Sequence, residues 1–278
     1  MTTWTCPSCG GAIATAFCAS RGEQLRDPRD LTWRDLAALT FQAFSPVDGK
    51  VLRSFRVLLT LPGRLTSAFQ EGLRKPYIGP FQIFLLANVL FFALQSVSAF
   101  NIFTQPLDFR LHDQPWSDFG QELVDTRLKE TGRSFAAYAP VFNQAVAVNA
   151  KSFIGLMVPP FAQLLPLVFW RASRPFAVHF VFSLHFYAFL LLLFCVPLAV
   201  MALDKALGGS GLMSLDVDLA VTIALVLAAA VYLYLAIGRA YDAGGVRRIL
   251  QTAVLTVAMA LIFQAYRFAL LPITLYTT

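Results

Sequence analysis

From residue 80 onward the chain alternates long apolar runs with short polar ones. Five runs approach the roughly 20 helical residues needed to cross a hydrocarbon core of about 30 Å: approximately 80–100, 152–169, 176–203, 217–237 and 249–272. The second differs from the rest, because Pro159, Pro160 and Pro166 remove backbone donors inside it. The spacing therefore predicts a kink or a break there. Ahead of it Phe135, Tyr138, Phe142 and Val146 recur at helical intervals, which predicts a helical extension standing out of the membrane.

The region before residue 80 is amphipathic. Thr32 and Asp35 have capping-box spacing, and Trp33, Leu36, Ala37, Phe41 and Phe44 follow a helical period up to Ser45-Pro46. A second helix is predicted over 50–61, with Leu52, Phe55 and Leu59 beside Lys50, Arg53 and Arg56, and Pro62-Gly63 breaks it. Leu65, Phe69 and Leu73 continue an i, i+4 stripe to Arg74-Lys75-Pro76. Basic amphipathic helices before a first span lie along an anionic inner leaflet or pack on the protein's own helices. The two arrangements are compatible.

Composition turns this pattern into a class. Hydrophobic residues make up 57% of the chain and charged ones 14%, with mean hydropathy +0.63. Globular domains carry roughly 25% charged residues, so lipid is needed to solvate this apolar surface. The expectation is an all-α membrane protein with about five transmembrane helices. Residues 1–23 show no basic stretch followed by an apolar core, so no cleavable signal peptide is expected, and the run at 80 serves as the first anchor.

The net charge of +6 is better read by position than as a sign of nucleic acid, which is not expected as a partner. With the N-terminus cytoplasmic, the inside segments 1–79, 170–175 and 238–248 hold 15 basic and 7 acidic residues. The outside segments 101–151 and 204–218 hold 6 and 9. This bias predicts an inner-membrane protein with the N-terminus inside and the C-terminus outside.

Three of the four cysteines cluster at the start, in Cys6-Pro7-Ser8-Cys9-Gly10 and Phe17-Cys18-Ala19-Ser20-Arg21. Cys-x-x-Cys-Gly is a knuckle turn whose two thiolates reach one tetrahedral ion, with glycine supplying the positive φ. A ribbon needs a second knuckle, and here Arg21 stands where the fourth cysteine belongs. Arginine stays cationic and cannot ligate zinc. Three readings stand: zinc on Cys6, Cys9 and Cys18 with Glu23, Asp27 or water as fourth ligand; a degenerate knuckle that folds without metal; or a Cys6–Cys9 redox pair, for which no βαβ context exists.

The cysteine knuckles, Asp48-Gly49-Lys50, Leu61-Pro62-Gly63 and Gly72-Leu73-Arg74-Lys75-Pro76-Tyr77-Ile78-Gly79-Pro80-Phe81 together resemble a bacterial family known as domain-of-unknown-function family 3667. The resemblance covers about the first third of the chain. It implies a zinc-ribbon-like segment at 1–30, amphipathic interfacial helices over 31–79, and a five-span domain over 80–278 with an extracytoplasmic helical loop at 101–151. Arg21 departs from the family's second knuckle. The family has no assigned activity, so the resemblance implies an architecture and no reaction.

Ionisable residues inside spans are candidates by default. His185 lies nine residues into the third run, about 13.5 Å at 1.5 Å per residue and near the midplane. It either lines a polar pathway or is neutral and bonded to a neighbouring helix. His179 is about 4.5 Å in, at the interface, and on another helix face. Arg267 falls about 27 Å along the last run, where snorkelling explains it. Gln163, Gln264 and Asn88 are candidates for interhelical hydrogen bonds, and Cys195 for apolar packing. No P-loop, His-Glu-x-x-His, Gly-x-Ser-x-Gly or intramembrane acid pair is present, so nothing argues for an enzyme. The leading expectation is a non-enzymatic membrane adaptor or regulator acting through a cytoplasmic protein partner at residues 1–77. The alternatives are a small-solute transporter or channel component, and then a membrane enzyme.

Overall fold

The computed structural model of the chain describes residues 4–6, 9–15, 17–20, 49–97, 103, 105–112, 114, 116–208 and 215–278. The helix expected over 32–44, together with Arg21, Glu23 and Asp27, lies outside the described residues. A two-stranded antiparallel ribbon pairs β1 (Trp4–Thr5) with β2 (Ala12–Ile13). The rest is helical: α1 (Gly49–Thr60), α2 (Arg64–Gln70), α3 (Pro80–Val97), α4 (Leu107–His112), α5 (Ser117–Thr131), α6 (Phe135–Phe153), α7 (Val158–Val168), α8 (Phe176–Ala206), α9 (Leu215–Ala240) and α10 (Gly245–Thr277).

Five helical segments among the described residues are long and apolar enough to span a membrane: α3, α6 continued into α7, α8, α9 and α10. The number agrees with the sequence; the boundaries differ. The third to fifth helices run past the apolar runs at one or both ends, because backbone hydrogen bonding continues where apolar side chains stop. The second differs most. Residues 135–168 form one candidate span, so the expected extension is continuous with it rather than a separate element. The break falls at Ile154–Met157, a 3₁₀ turn just before the prolines. Pro159 and Pro160 can bond neither Gly155 nor Leu156, and the preceding turn tightens instead.

The bundle is tied at its loop end by aromatics. Phe103 is fully buried, with Phe91 at 5.6 Å, Phe263 at 5.2 Å and Tyr266 at 5.6 Å between ring centroids. On α6, Tyr138 Oη meets Thr278 Oγ1 at 2.5 Å, and Asn149 Nδ2 donates to Thr274 and Thr277 on α10.

At the opposite end, which carries Arg171, Arg174, Arg239, Arg247 and Arg248, the short α2 is inserted between α8 and α9. Its residues from Leu65 to Phe69 are all buried. Packing on the protein's own helices is the arrangement observed here. Pro62 ends α1, and Gly63 turns the chain with φ +80°. A Cβ on Gly63 would sit 2.5 Å from the Ala236 carbonyl oxygen, so only glycine admits this approach. Gly72 closes α2 in a Schellman turn, with Leu73 N donating to Ala68 O and Gly72 N to Phe69 O. Its φ is +77° but its Cβ position is open.

Gly72→Ala is therefore expected to cost only the left-handed penalty, about 1–2 kcal/mol. Gly63→Ala adds overlap with backbone and should lose roughly 1–3 kcal/mol more. Thermal melting of the two variants in detergent checks this, and equal losses would deny the close approach.

Candidate functional site

The ribbon β1–β2 exists to shape a turn. Cys6 N donates to Gly11 O at 2.9 Å and Gly10 N to Cys6 O at 2.8 Å, with Gly10 at φ +71°. Trp4 Nε1 caps the opposite edge by donating to Thr15 O. This brings Cys18 back against the turn: the Sγ atoms of Cys6, Cys9 and Cys18 all lie within 4.8 Å of one another, and Cys9 and Cys18 are 3.7 Å apart. Cys6 and Cys18 are buried, Cys9 is exposed, and none is in a disulfide.

Those distances fit a metal. Thiolates 2.3 Å from a tetrahedral ion are about 3.8 Å apart. A disulfide would hold two sulfurs at about 2.0 Å. The cluster could hold a metal ion on three sulfurs. The acids expected to supply a fourth ligand, Glu23 and Asp27, and Arg21 itself, fall outside the described residues.

His185, the intramembrane candidate, is buried in α8, and its Nδ1 lies 2.9 Å from Thr66 Oγ1. Its partner thus belongs to α2, the inserted helix, rather than to another span. The two border a pocket lined also by Leu58, Gly63, Phe186, Tyr232 and Ala236, no larger than one water requires. The other polar groups of α2 are answered as well. Ser67 Oγ donates to Gly63 O and Arg239 O, and Gln70 Nε2 to Ala240 O. Arg239 returns a bond to Pro62 O at 2.9 Å. The carbonyls at the end of α9, which have no helical donor after them, are capped by α2. Ser54, buried in α1, accepts from Ile78 N and so holds the turn that feeds α3.

His179 is buried among the protein's own helices. Its Nδ1 is 2.9 Å from Tyr241 Oη, and Tyr241 stacks on Phe169 at 4.0 Å. The turns before α8 and α10 are further joined by Arg174 and Asp242 at 3.1 Å. Gln163 is exposed on α7, and Gln264 accepts from Arg267 within α10 instead of bonding across helices. Cys195 is half-buried and donates to Leu191 O.

Arg110 is the buried group that sequence reasoning missed. It is 1% exposed, the largest fully buried side chain among the described residues. Its Nε, Nη1 and Nη2 donate to Gln105 O, Arg267 O and Phe103 O. No periodicity marks it, because α4 is six residues long.

Thr66→Val strands a buried His185 nitrogen, which should cost about 1–3 kcal/mol in a detergent melt. Adding His185→Phe should recover part of that loss, since removing both partners is cheaper than removing one. Additive losses in this double-mutant cycle would show that the pair carries no coupling.

No curated protein and no solved structure matches the chain. One family model does: residues 48–92 match the family described as a protein of unknown function, DUF3667. The matched segment holds α1, the Pro62-Gly63 break, the inserted helix α2 and most of α3, so in this five-span, membrane-type helical chain the stretch similar to DUF3667 includes the wedge of the bundle.

Proposed function

We propose that the chain is a non-enzymatic adaptor or regulatory protein of a bacterial inner membrane, acting through a zinc knuckle on the cytoplasmic side. The observation that carries this reading is the convergence of Cys6, Cys9 and Cys18, whose sulfurs all lie within 4.8 Å of one another. Zinc takes thiolates in closed structural sites and contributes folding energy to segments too small to hold a core. The knuckle at 1–30 is such a segment. The fourth ligand would come from Glu23, Asp27 or water. A closed knuckle offers a rigid surface for a protein partner, which would engage residues 1–77 outside the buried helix α2.

The orientation follows from charge. Arg171, Arg174, Arg239, Arg247 and Arg248 gather in and beside two short turns at one end, and short basic loops stay inside. Helices α1 and α2 lie at that end, and Leu52 and Leu59, exposed on α1, would face the leaflet. A transport reading has less support. His185 is engaged by Thr66, and the space beside it takes a single water.

Metal analysis of the full-length protein is expected to find about one zinc per chain, lost in Cys9→Ser and in Cys18→Ser. A metal-free wild type removes the zinc. Crosslinking in native membranes should capture a protein at residues 1–77 in the wild type and lose it when the three cysteines are replaced. Unchanged capture would separate the partner from the knuckle. Labelling of the N-terminus from outside the cell would contradict the orientation.

A further inference from the structure

Two arginines meet at the loop end of the bundle with no acid on either among the described residues. Arg110, buried, gives its guanidinium to three backbone carbonyls, one of them Arg267 O at 2.8 Å. Arg267, half-buried on α10, donates to the side-chain oxygens of Gln105 and Gln264. Gln105 thereby touches both, through its carbonyl and its side chain. Neither arginine has a carboxylate partner among the described residues. Each guanidinium carries five N–H donors; Arg110 is 1% exposed, so it is the half-buried Arg267 that keeps donors open to a ligand.

The electrostatics of this pair are open on one side. Burial and the neighbouring Arg267 guanidinium hold Arg110 at about 10, below the usual arginine range. It is still a cation at neutral pH. A buried cation beside a half-buried one costs free energy that neutral oxygens offset only in part, and an anion offsets directly. Arginine forks match phosphate oxygens in geometry as well as charge.

Depth supplies the source of the anion. Arg267 is 22 residues beyond Gly245, about 33 Å at 1.5 Å per residue. The hydrocarbon core is about 30 Å thick. With α10 entering at one headgroup layer, Arg267 stands at the other. We propose that Arg267, with the buried charge of Arg110 behind it, forms a binding site for a phosphate-class anion at the loop end of the bundle. A phospholipid headgroup and free inorganic phosphate share this chemistry.

Native mass spectrometry of the full-length protein with phosphatidylglycerol or phosphatidylcholine, and melting of lipid-free protein with inorganic phosphate, separate the sources. If lipid is the source, the wild type prefers phosphatidylglycerol, and Arg267→Gln weakens that binding about tenfold or more, as expected for a charged hydrogen bond. If free phosphate is the source, it raises the melting temperature of the wild type and not of Arg267→Gln. Arg267→Lys, which keeps charge and loses the fork, should fall between them and serves if the glutamine variant does not fold. Absence of both responses in the wild type, or their persistence in Arg267→Gln, overturns the site. Asp113→Asn tests an acid three residues from Arg110 in sequence. Unchanged responses support the proposal, while responses that appear only in this variant would assign the counter-charge to the protein itself and overturn it.

Discussion

The bundle depends on a seven-residue helix that must be buried without leaving a polar atom unanswered. Helix α2 enters between α8 and α9 only because Gly63 has no Cβ to strike the Ala236 carbonyl. Once there, its hydroxyl and amide side chains are placed where the bundle lacks donors. Ser67 and Gln70 cap the last carbonyls of α9, Thr66 meets His185, and Arg239 closes the circuit on Pro62. Each of these bonds is worth little alone, and each becomes costly if one partner is removed. That asymmetry ties α1, α2 and the two spans into one unit.

The segment matching the family model, 48–92, holds this wedge and the span after it. Its partners, His185, Ala236, Arg239 and Ala240, lie outside the match and far along the chain. A motif that looks like a break between two surface helices, Leu61-Pro62-Gly63, is in the structure the hinge that lets a short helix dive into the bundle. The basic residues around it have a local use as well as an orienting one. Arg239 binds backbone, and Arg248 stacks over Tyr234 at 3.8 Å while resting against Gly238, where a Cβ would overlap it.

Much of the architecture was legible in the sequence because lipid imposes a length and a composition on each span. The five helices, the irregularity of the second and the knuckle turn at Cys6-x-x-Cys9-Gly10 all follow from local rules. What was not legible depends on long-range partners. The stripe Leu65, Phe69, Leu73 marks one face of α2, yet Thr66, Ser67 and Ala68 are buried too, because helices cover it on more than one side. His185 was a candidate from its depth, but depth cannot say that Thr66, 119 residues away, answers it. Arg110 sits on a helix too short for periodicity, and Arg267 reads as a snorkelling residue until Gln105 is seen beside it.

The insertion of α2 is tested most directly by amide hydrogen exchange on the full-length protein in lipid. Amides of Thr66–Gln70 are expected to exchange as slowly as those in the middle of α8, and far more slowly than those of the solvent-facing turns of α1. Exchange in α2 as fast as in α1 would place the helix on the membrane surface and contradict its burial.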